Sequence, residues 1–172
     1  MKLAGYTRLL WGTFTELTFG VVLFIVICLV TDDALRNSFL RDTASDWISV
    51  TGQVLFPAAV AIWITYVNIE SSQFGDYLRY VKAAGPLHFG FAYPSVVFLA
   101  TTIALIFAKG TKLAFMPNVA VFLLLYSTAV FFVMVLNVAS LLRLYGGFRA
   151  ELTREPNKEG DPQSAHTPSG DR

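Results

Sequence analysis

Apolar and polar residues occur in long alternating blocks along this chain of 172 residues. Four segments are almost free of charged side chains, and they cover about residues 11–30, 48–67, 89–108 and 119–142. A helix rises about 1.5 Å per residue, so a segment of about 20 residues crosses a hydrocarbon core of about 30 Å. The pattern therefore predicts an all-α integral membrane protein with four transmembrane helices.

The composition agrees with a membrane location. Hydrophobic residues make up 55% of the chain and charged residues 15%, whereas a soluble domain is about half apolar and about a quarter charged. A chain of this length lacks the polar surface to cover four buried helices. The first apolar segment is interrupted by Glu16 and is followed by no A-x-A-like cleavage site, so we expect an uncleaved helix rather than a signal peptide.

Basic residues near the span ends predict that both termini lie in the cytoplasm. Lys and Arg resist translocation, so the richer side is the cytoplasmic one. One side has Lys2, Arg8, Arg79, Lys82, Arg143, Arg149, Arg154 and Lys158, and the other has Arg36, Arg41, Lys109 and Lys112. We expect a multi-pass protein of the cell (inner) membrane.

The connection between spans two and three predicts a helix of its own at about residues 72–83. Its apolar residues fall at i, i+3, i+4 and i+7, on one helix face; they are Phe74, Tyr77, Leu78 and Val81. We expect an amphipathic helix in the cytoplasmic interface with its aromatic side on the membrane. Such a helix fits either a docking or lipid-sensing element, or a brace that joins the two spans. The first connection, by contrast, predicts no more than one or two helical turns.

The fourth span continues its apolar character past Arg143, whose guanidinium is expected at the headgroup level. The pair Gly146-Gly147 predicts a stop, because glycine weakens a helix and favours a left-handed terminus. We therefore expect a helix to about residue 145. The segment 151–172 mixes both charge signs with Pro, Gly and Ser and is almost free of large apolar residues, which predicts a disordered cytoplasmic tail.

Counting from the span ends places six polar residues in one layer near the cytoplasmic side: Glu16, Asn68, His88, Tyr93, Asn137 and Arg143. Glu16 shares a helix face with Gly12 and Gly20, a spacing that favours helix–helix contact, so we expect it to face protein. Two interpretations remain open for Glu16. It is either an interfacial carboxylate or an intramembrane ionisable group with a partner, and the second would mark a functional site.

Two prolines fall inside predicted spans. Pro57 lies in the middle of span two and Pro94 early in span three. A proline inside a helix frees the carbonyl four residues earlier, and in a membrane that carbonyl needs a partner from a neighbouring helix. We expect both helices to bend.

The residue inventory argues against several chemistries. A single cysteine, Cys28, cannot form an intramolecular disulfide or run a thiol–disulfide relay. The two histidines, His88 and His166, do not supply the two buried axial ligands of a transmembrane haem. No metal-ligand cluster or phosphate-binding loop is visible, and a net charge of +1 gives no footprint for nucleic acid. We expect no enzymatic activity, no cofactor and no metal.

Glu16 in the first of four predicted helices resembles the carboxylate of the small multidrug resistance exporters. Those chains are much shorter and have tight hairpins, whereas this one has long loops, a long tail and the third span FGFAYPSVVFLATTIALIF. The resemblance implies a proton-coupled exporter as a minor alternative.

The leading hypothesis is a non-enzymatic accessory, assembly or immunity-type subunit that binds another membrane protein within the bilayer. The alternative is a homo-oligomeric channel or pore-type effector lined by the polar layer.

Overall fold

The computed structural model describes residues 3–111 and 115–154, with side chains from Leu17 to Leu152 within those ranges. Every regular element in the described part is helical. In chain order they are α1 (Leu3–Val30), α2 (Asp33–Ile48), a π-helical segment (Ser49–Leu55), α3 (Phe56–Glu70), α4 (Gln73–Tyr80), α5 (Ala84–Gly110) and α6 (Met116–Arg154).

Three helical stretches are long and apolar enough to cross a membrane: Asp33–Glu70, Ala84–Gly110 and Met116–Leu152. The part of α1 whose side chains are described, Leu17–Val30, is apolar but shorter. The prediction of an all-helical fold is therefore confirmed for the described residues, and the three apolar stretches are consistent with a membrane protein.

The long helices pack in the order α3, α5, α6, α1, and each is antiparallel to the next. Tyr66 of α3 donates a hydrogen bond from its hydroxyl to the carbonyl of Ala84 at the start of α5 (2.8 Å). Gly20 of α1 lies against the ring of Tyr126 on α6. Because α5 and α6 occupy the middle of this order, α1 and α3 are the edge helices.

Apolar clusters hold the two ends of the helix assembly. The end formed by residues 31–48, 108–111 and 115–118 is called the α2 end, and Leu40, Leu105, Ala120 and Val121 pack there. The opposite end, formed by residues 66–91 and 138–148, is called the α4 end. Its buried cluster comprises Tyr66, Phe74, Leu78, Ala84, Leu87 and Phe91.

The first connection differs from its prediction, because α2 is a helix of 16 residues that continues into span two. Leu40 and Ala44 of α2 are buried against α5 and α6, so tertiary packing stabilises a segment that has no long apolar run. The junction with α3 is π-helical. Pro57 explains it, since its ring clashes with the carbonyl of Gln53 in α-helical geometry and a wider turn relieves the clash.

The helix between spans two and three forms at Gln73–Tyr80, but its apolar face packs on protein. Phe74 is 6% exposed and Leu78 is 0% exposed. The ring of the partly buried Tyr77 contacts the rings of Phe74 and of Phe148 on α6. The expected orientation with the aromatic side on the membrane is therefore wrong. The helix α4 instead acts as a brace between α3, α5 and α6. Its apolar face is already covered by these helices, so it is not available to dock elsewhere.

A Schellman motif ends α4. Lys82 has a φ of 59°, and it donates its amide to the carbonyl of Arg79 while Ala83 donates to Leu78. Val81 falls in this turn, just beyond the helix, and is 37% exposed. The turn redirects the chain into α5, and Ala83 returns to pack against the buried cluster of the α4 end.

The predicted end of the last helix near residue 145 is wrong, because α6 runs through Gly146-Gly147 to Arg154. Leu144 and Phe148 pack on the cluster of the α4 end, and this contact outweighs the loss of about 1 kcal/mol that each glycine causes in a helix interior. Residues 155–172 of the predicted tail lie outside the described residues.

Candidate functional site

The structure places the predicted polar residues in separate environments. Asn68 and Arg143 are exposed. Glu16 belongs to α1, and its side chain lies outside the described part. His88, Tyr93 and Asn137 each contact a different partner. A functional layer shared by all six stays a prediction.

Asn137 bonds a carbonyl that Pro94 leaves without its usual partner. Pro94 has no amide hydrogen, so the carbonyl of Gly90, four residues earlier, loses its intrahelical bond. Asn137 Nδ2 on α6 donates to that oxygen at 3.3 Å. Gly90 also provides the space, because a Cβ there would lie 2.5 Å from the same nitrogen. The three residues join α5 to α6, in agreement with the expectation that a neighbouring helix satisfies the freed carbonyl.

Tyr93 meets Tyr126 across the same helix pair. Their hydroxyls form a hydrogen bond between α5 and α6, and Gly20 of α1 lies beside the Tyr126 ring. Tyr126 was not among the predicted site residues, because a lone tyrosine in an apolar run carries no signal of its partner. The contact therefore brings three of the four long helices together.

His88 pairs with Glu70, which was not among the predicted site residues. Nδ1 of His88 lies 3.2 Å from Oε2 of Glu70, and the two side chains are 44% and 27% exposed. Arg79 of α4 donates to the backbone carbonyl of Glu70 at 3.0 Å. Glu70 therefore links α3, α4 and α5. The sequence signal for Glu70 was its position just after an apolar run, near the predicted boundary residue Asn68.

Aromatic rings surround the pair of His88 and Glu70. Trp63 and Tyr66 make edge-to-face contacts with the imidazole, with ring centroids 6.2 and 6.0 Å apart respectively. Among residues 3–111 and 115–154, no group of three His, Cys, Asp or Glu side chains could hold a metal ion. The geometry is that of a connection between helices at the α4 end.

The exposed face of the α3 edge helix differs from the other exposed helix faces. This face and the end of the preceding π-helical segment carry small or polar residues at one-turn intervals: Gln53, Pro57, Ala61, Thr65 and Asn68. We call these five residues the α3 stripe. Val54, Ile64 and Val67 are the bulky exposed residues beside them, at 58%, 54% and 43% exposure. Exposed positions of α1, by contrast, are mostly Leu, Val, Ile and Phe.

Gln53 is the unusual member of the α3 stripe. It lies about 7 Å inside the predicted span, five residues from its start, and its side chain is exposed. The Ser49 hydroxyl donates to Oε1 of Gln53 at 3.0 Å. Within the described residues, Nε2 of Gln53 has no hydrogen-bond partner. Lipid tails offer no acceptor to an amide, so this nitrogen favours contact with protein.

No family model matches this chain, and neither the curated proteins nor the solved structures contain a match to it.

Proposed function

We propose that this protein is a non-enzymatic integral membrane subunit that binds a transmembrane helix of another protein through the α3 stripe. The observation that carries the proposal is the exposed Gln53 amide in a row of small residues. Small residues at four-residue spacing let helix backbones approach closely, and interhelical hydrogen bonds join helices in lipid. Accessory, assembly and immunity-type roles all need such a surface.

The occupant that this surface favours is a single helix with small residues and a carbonyl or side-chain acceptor at the depth of Gln53. Ala61 and Thr65 are themselves small, and the Thr65 hydroxyl is already bonded to the Ala61 carbonyl (2.8 Å). The helix α4, which the sequence suggested as a docking element, does not support the proposal because its apolar face is buried.

A homo-oligomeric channel is the alternative, and it draws less support from the structure. Tyr93 and Asn137 engage partners within the same chain, so their polar groups are not available to line a path between subunits. The proton-coupled exporter rests on Glu16, whose side chain lies outside the described part.

A photo-crosslinking experiment tests the proposed surface. A diazirine-bearing amino acid at Ala61 should give a covalent adduct with a second protein in native membranes. The same probe at Ile106, which is 52% exposed on α5, is the matched control and should label lipid. Gln53→Leu should lower the Ala61 adduct about threefold, the effect of one interhelical hydrogen bond. Equal adducts from positions 61 and 106 would contradict the proposal, and an adduct with only a second copy would favour the alternative.

We infer further that the chain crosses the bilayer four times, with both termini and α4 on the cytoplasmic side. The asymmetry of Lys and Arg supports this orientation. In a chain whose Cys28 is replaced by alanine, Ala34→Cys should react with an impermeant maleimide from outside the cell. Asp76→Cys should react only after the membrane is permeabilised. Labelling of both positions from the same side would contradict this topology.

A further inference from the structure

A cleft at the α2 end is independent of the α3 stripe. It has a volume of about 860 Å³ and lies between α2, the last turn of α5 and the first turn of α6. Clefts that hold small ligands have volumes of about 300–1,000 Å³. Asn37, Leu40, Arg41 and Ala44 form the α2 wall, at i, i+3, i+4 and i+7 on one helix face. The cleft is therefore large enough for a small ligand.

The cleft has a surplus of positive charge. Arg41 of α2 and Lys109 of α5 line it from two sides. The acidic residue on its wall, Asp33, is ion-paired with Arg36, so its charge is compensated. Asp42 and Asp46 of α2 are exposed and do not line the cleft. A ligand in the cleft therefore meets two cations whose charge the wall does not cancel.

The polar groups of the cleft are held in place by its neighbours. Lys109 Nζ donates to Ser45 Oγ at 2.6 Å, which leaves two of its three donors for a ligand. Arg36, whose side chain is 10% exposed, donates from Nε to Asn118 Oδ1 at 3.2 Å. The Asn118 side chain is thereby fixed with its oxygen occupied, and its amide nitrogen remains a donor. Within the described part of the chain, Arg41 has no ion-pair or hydrogen-bond partner.

The hydrogen-bond donors that line the cleft indicate which kind of ligand it would bind. A guanidinium, an ammonium and side-chain amides together favour an anion with several acceptor oxygens, and phosphate has that form. Leu40 and Ala108 add apolar surface to the same cleft, and the cleft opens at the end of the apolar part of α5. A phosphate with a glycerol or acyl group attached would use both kinds of surface.

We propose that the cleft binds a phosphate group, carried either by a phospholipid headgroup or by a soluble phosphate ester. Arg41 and Lys109 provide the charge, and Asn118 and Asn37 orient the phosphate oxygens. The shared chemistry is the phosphate, and the two sources differ in whether acyl chains must accompany it.

Native mass spectrometry of the full chain in a non-ionic detergent tests the proposal with three probes. Dihexanoyl phosphatidate represents the lipid source, glycerol 3-phosphate represents the soluble source, and dihexanoylglycerol is the lipid without phosphate. At least one phosphate probe should bind with one-to-one stoichiometry, and dihexanoylglycerol should not. Binding of phosphatidate alone assigns a lipid headgroup, and binding of glycerol 3-phosphate alone assigns a soluble ester.

Charge-removing variants locate the site. Arg41→Gln and Lys109→Gln should each weaken binding of the phosphate probe about tenfold, because each removes hydrogen bonds from a charged donor. Lys82→Gln removes one positive charge at the α4 end and should change binding less than twofold. Hydrogen exchange of the wild-type chain gives a readout that needs no variant, since the probe should slow exchange of α2 amides at 37–44.

Three results would overturn the proposal. The first is that neither phosphate probe binds more tightly than dihexanoylglycerol. The second is that Lys82→Gln weakens binding as much as the two cleft variants do. The third is that probe binding slows exchange elsewhere and leaves α2 unchanged.

Discussion

Gly75→Ala is expected to release α4 from the rest of the protein. A Cβ on Gly75 would lie 2.8 Å from the Cα of Glu70 and would overlap the carbonyl oxygen of the same residue. These are backbone atoms, so no side-chain rotation relieves the clash, and either α4 or the end of α3 must move. The expected loss of stability is about 3 kcal/mol, at the upper part of the range for overpacking.

The consequences of Gly75→Ala should appear at every contact of α4. Moving the helix breaks the bond from Arg79 to the Glu70 carbonyl and exposes Phe74 and Leu78. Hydrogen exchange should show faster exchange of the α4 amides, and denaturation in SDS–detergent mixtures should give the change in the free energy of unfolding. Gly85→Ala is the matched control, because no atom lies within 4 Å of its added Cβ. A Gly75→Ala protein as stable as Gly85→Ala would contradict the prediction.

Phe91→Ala should be the most damaging truncation in the cluster of the α4 end. Phe91 is 0% exposed, and its ring lies 5.1 Å from that of Tyr66. Lipid is as apolar as the protein core, so the loss comes mainly from the cavity rather than from transfer to water. We expect about 3 kcal/mol, the lower end of the range for phenylalanine.

Phe107→Ala on the same helix separates the cavity effect from the loss of apolar surface. Phe107 is 49% exposed, and lipid chains can fill the space that its ring leaves. Its free energy of unfolding in the same SDS–detergent titration should change by less than about 1 kcal/mol. If Phe91→Ala and Phe107→Ala lower the free energy of unfolding equally, the cluster of the α4 end does not contribute the stability predicted for it.

The three helical stretches of membrane-crossing length could be predicted from sequence because each contains a long apolar run. The α2 helix could not, since Leu40 and Ala44 reveal their burial only when α5 and α6 are in place. The pair Gly146-Gly147 led to the wrong prediction of a helix end near residue 145, again because tertiary packing is not visible in the sequence. Their intrinsic weakness is local, but the packing of Leu144 and Phe148 that overrides it is tertiary.

The polar residues of the spans could be found from sequence, but their partners could not. Asn137 is visible as an amide in an apolar run, yet its bond to the Gly90 carbonyl depends on Pro94 of another helix. Glu70 was missed because an acidic residue after a span is usually a solvated boundary group. The cleft at the α2 end was also invisible, since its two cations are 68 positions apart and meet only through helix packing.

Because α6 is one continuous helix, it provides a rigid attachment point for a fusion partner. With 39 residues it is about 58 Å long, more than the about 40–45 Å of a bilayer with its headgroups. Because no break separates its last turns from the packed interior, a helical fusion continued in register from Arg154 would keep a fixed orientation to the membrane domain. Such a fusion would give this small protein the mass and the visible feature that particle alignment in electron cryomicroscopy requires.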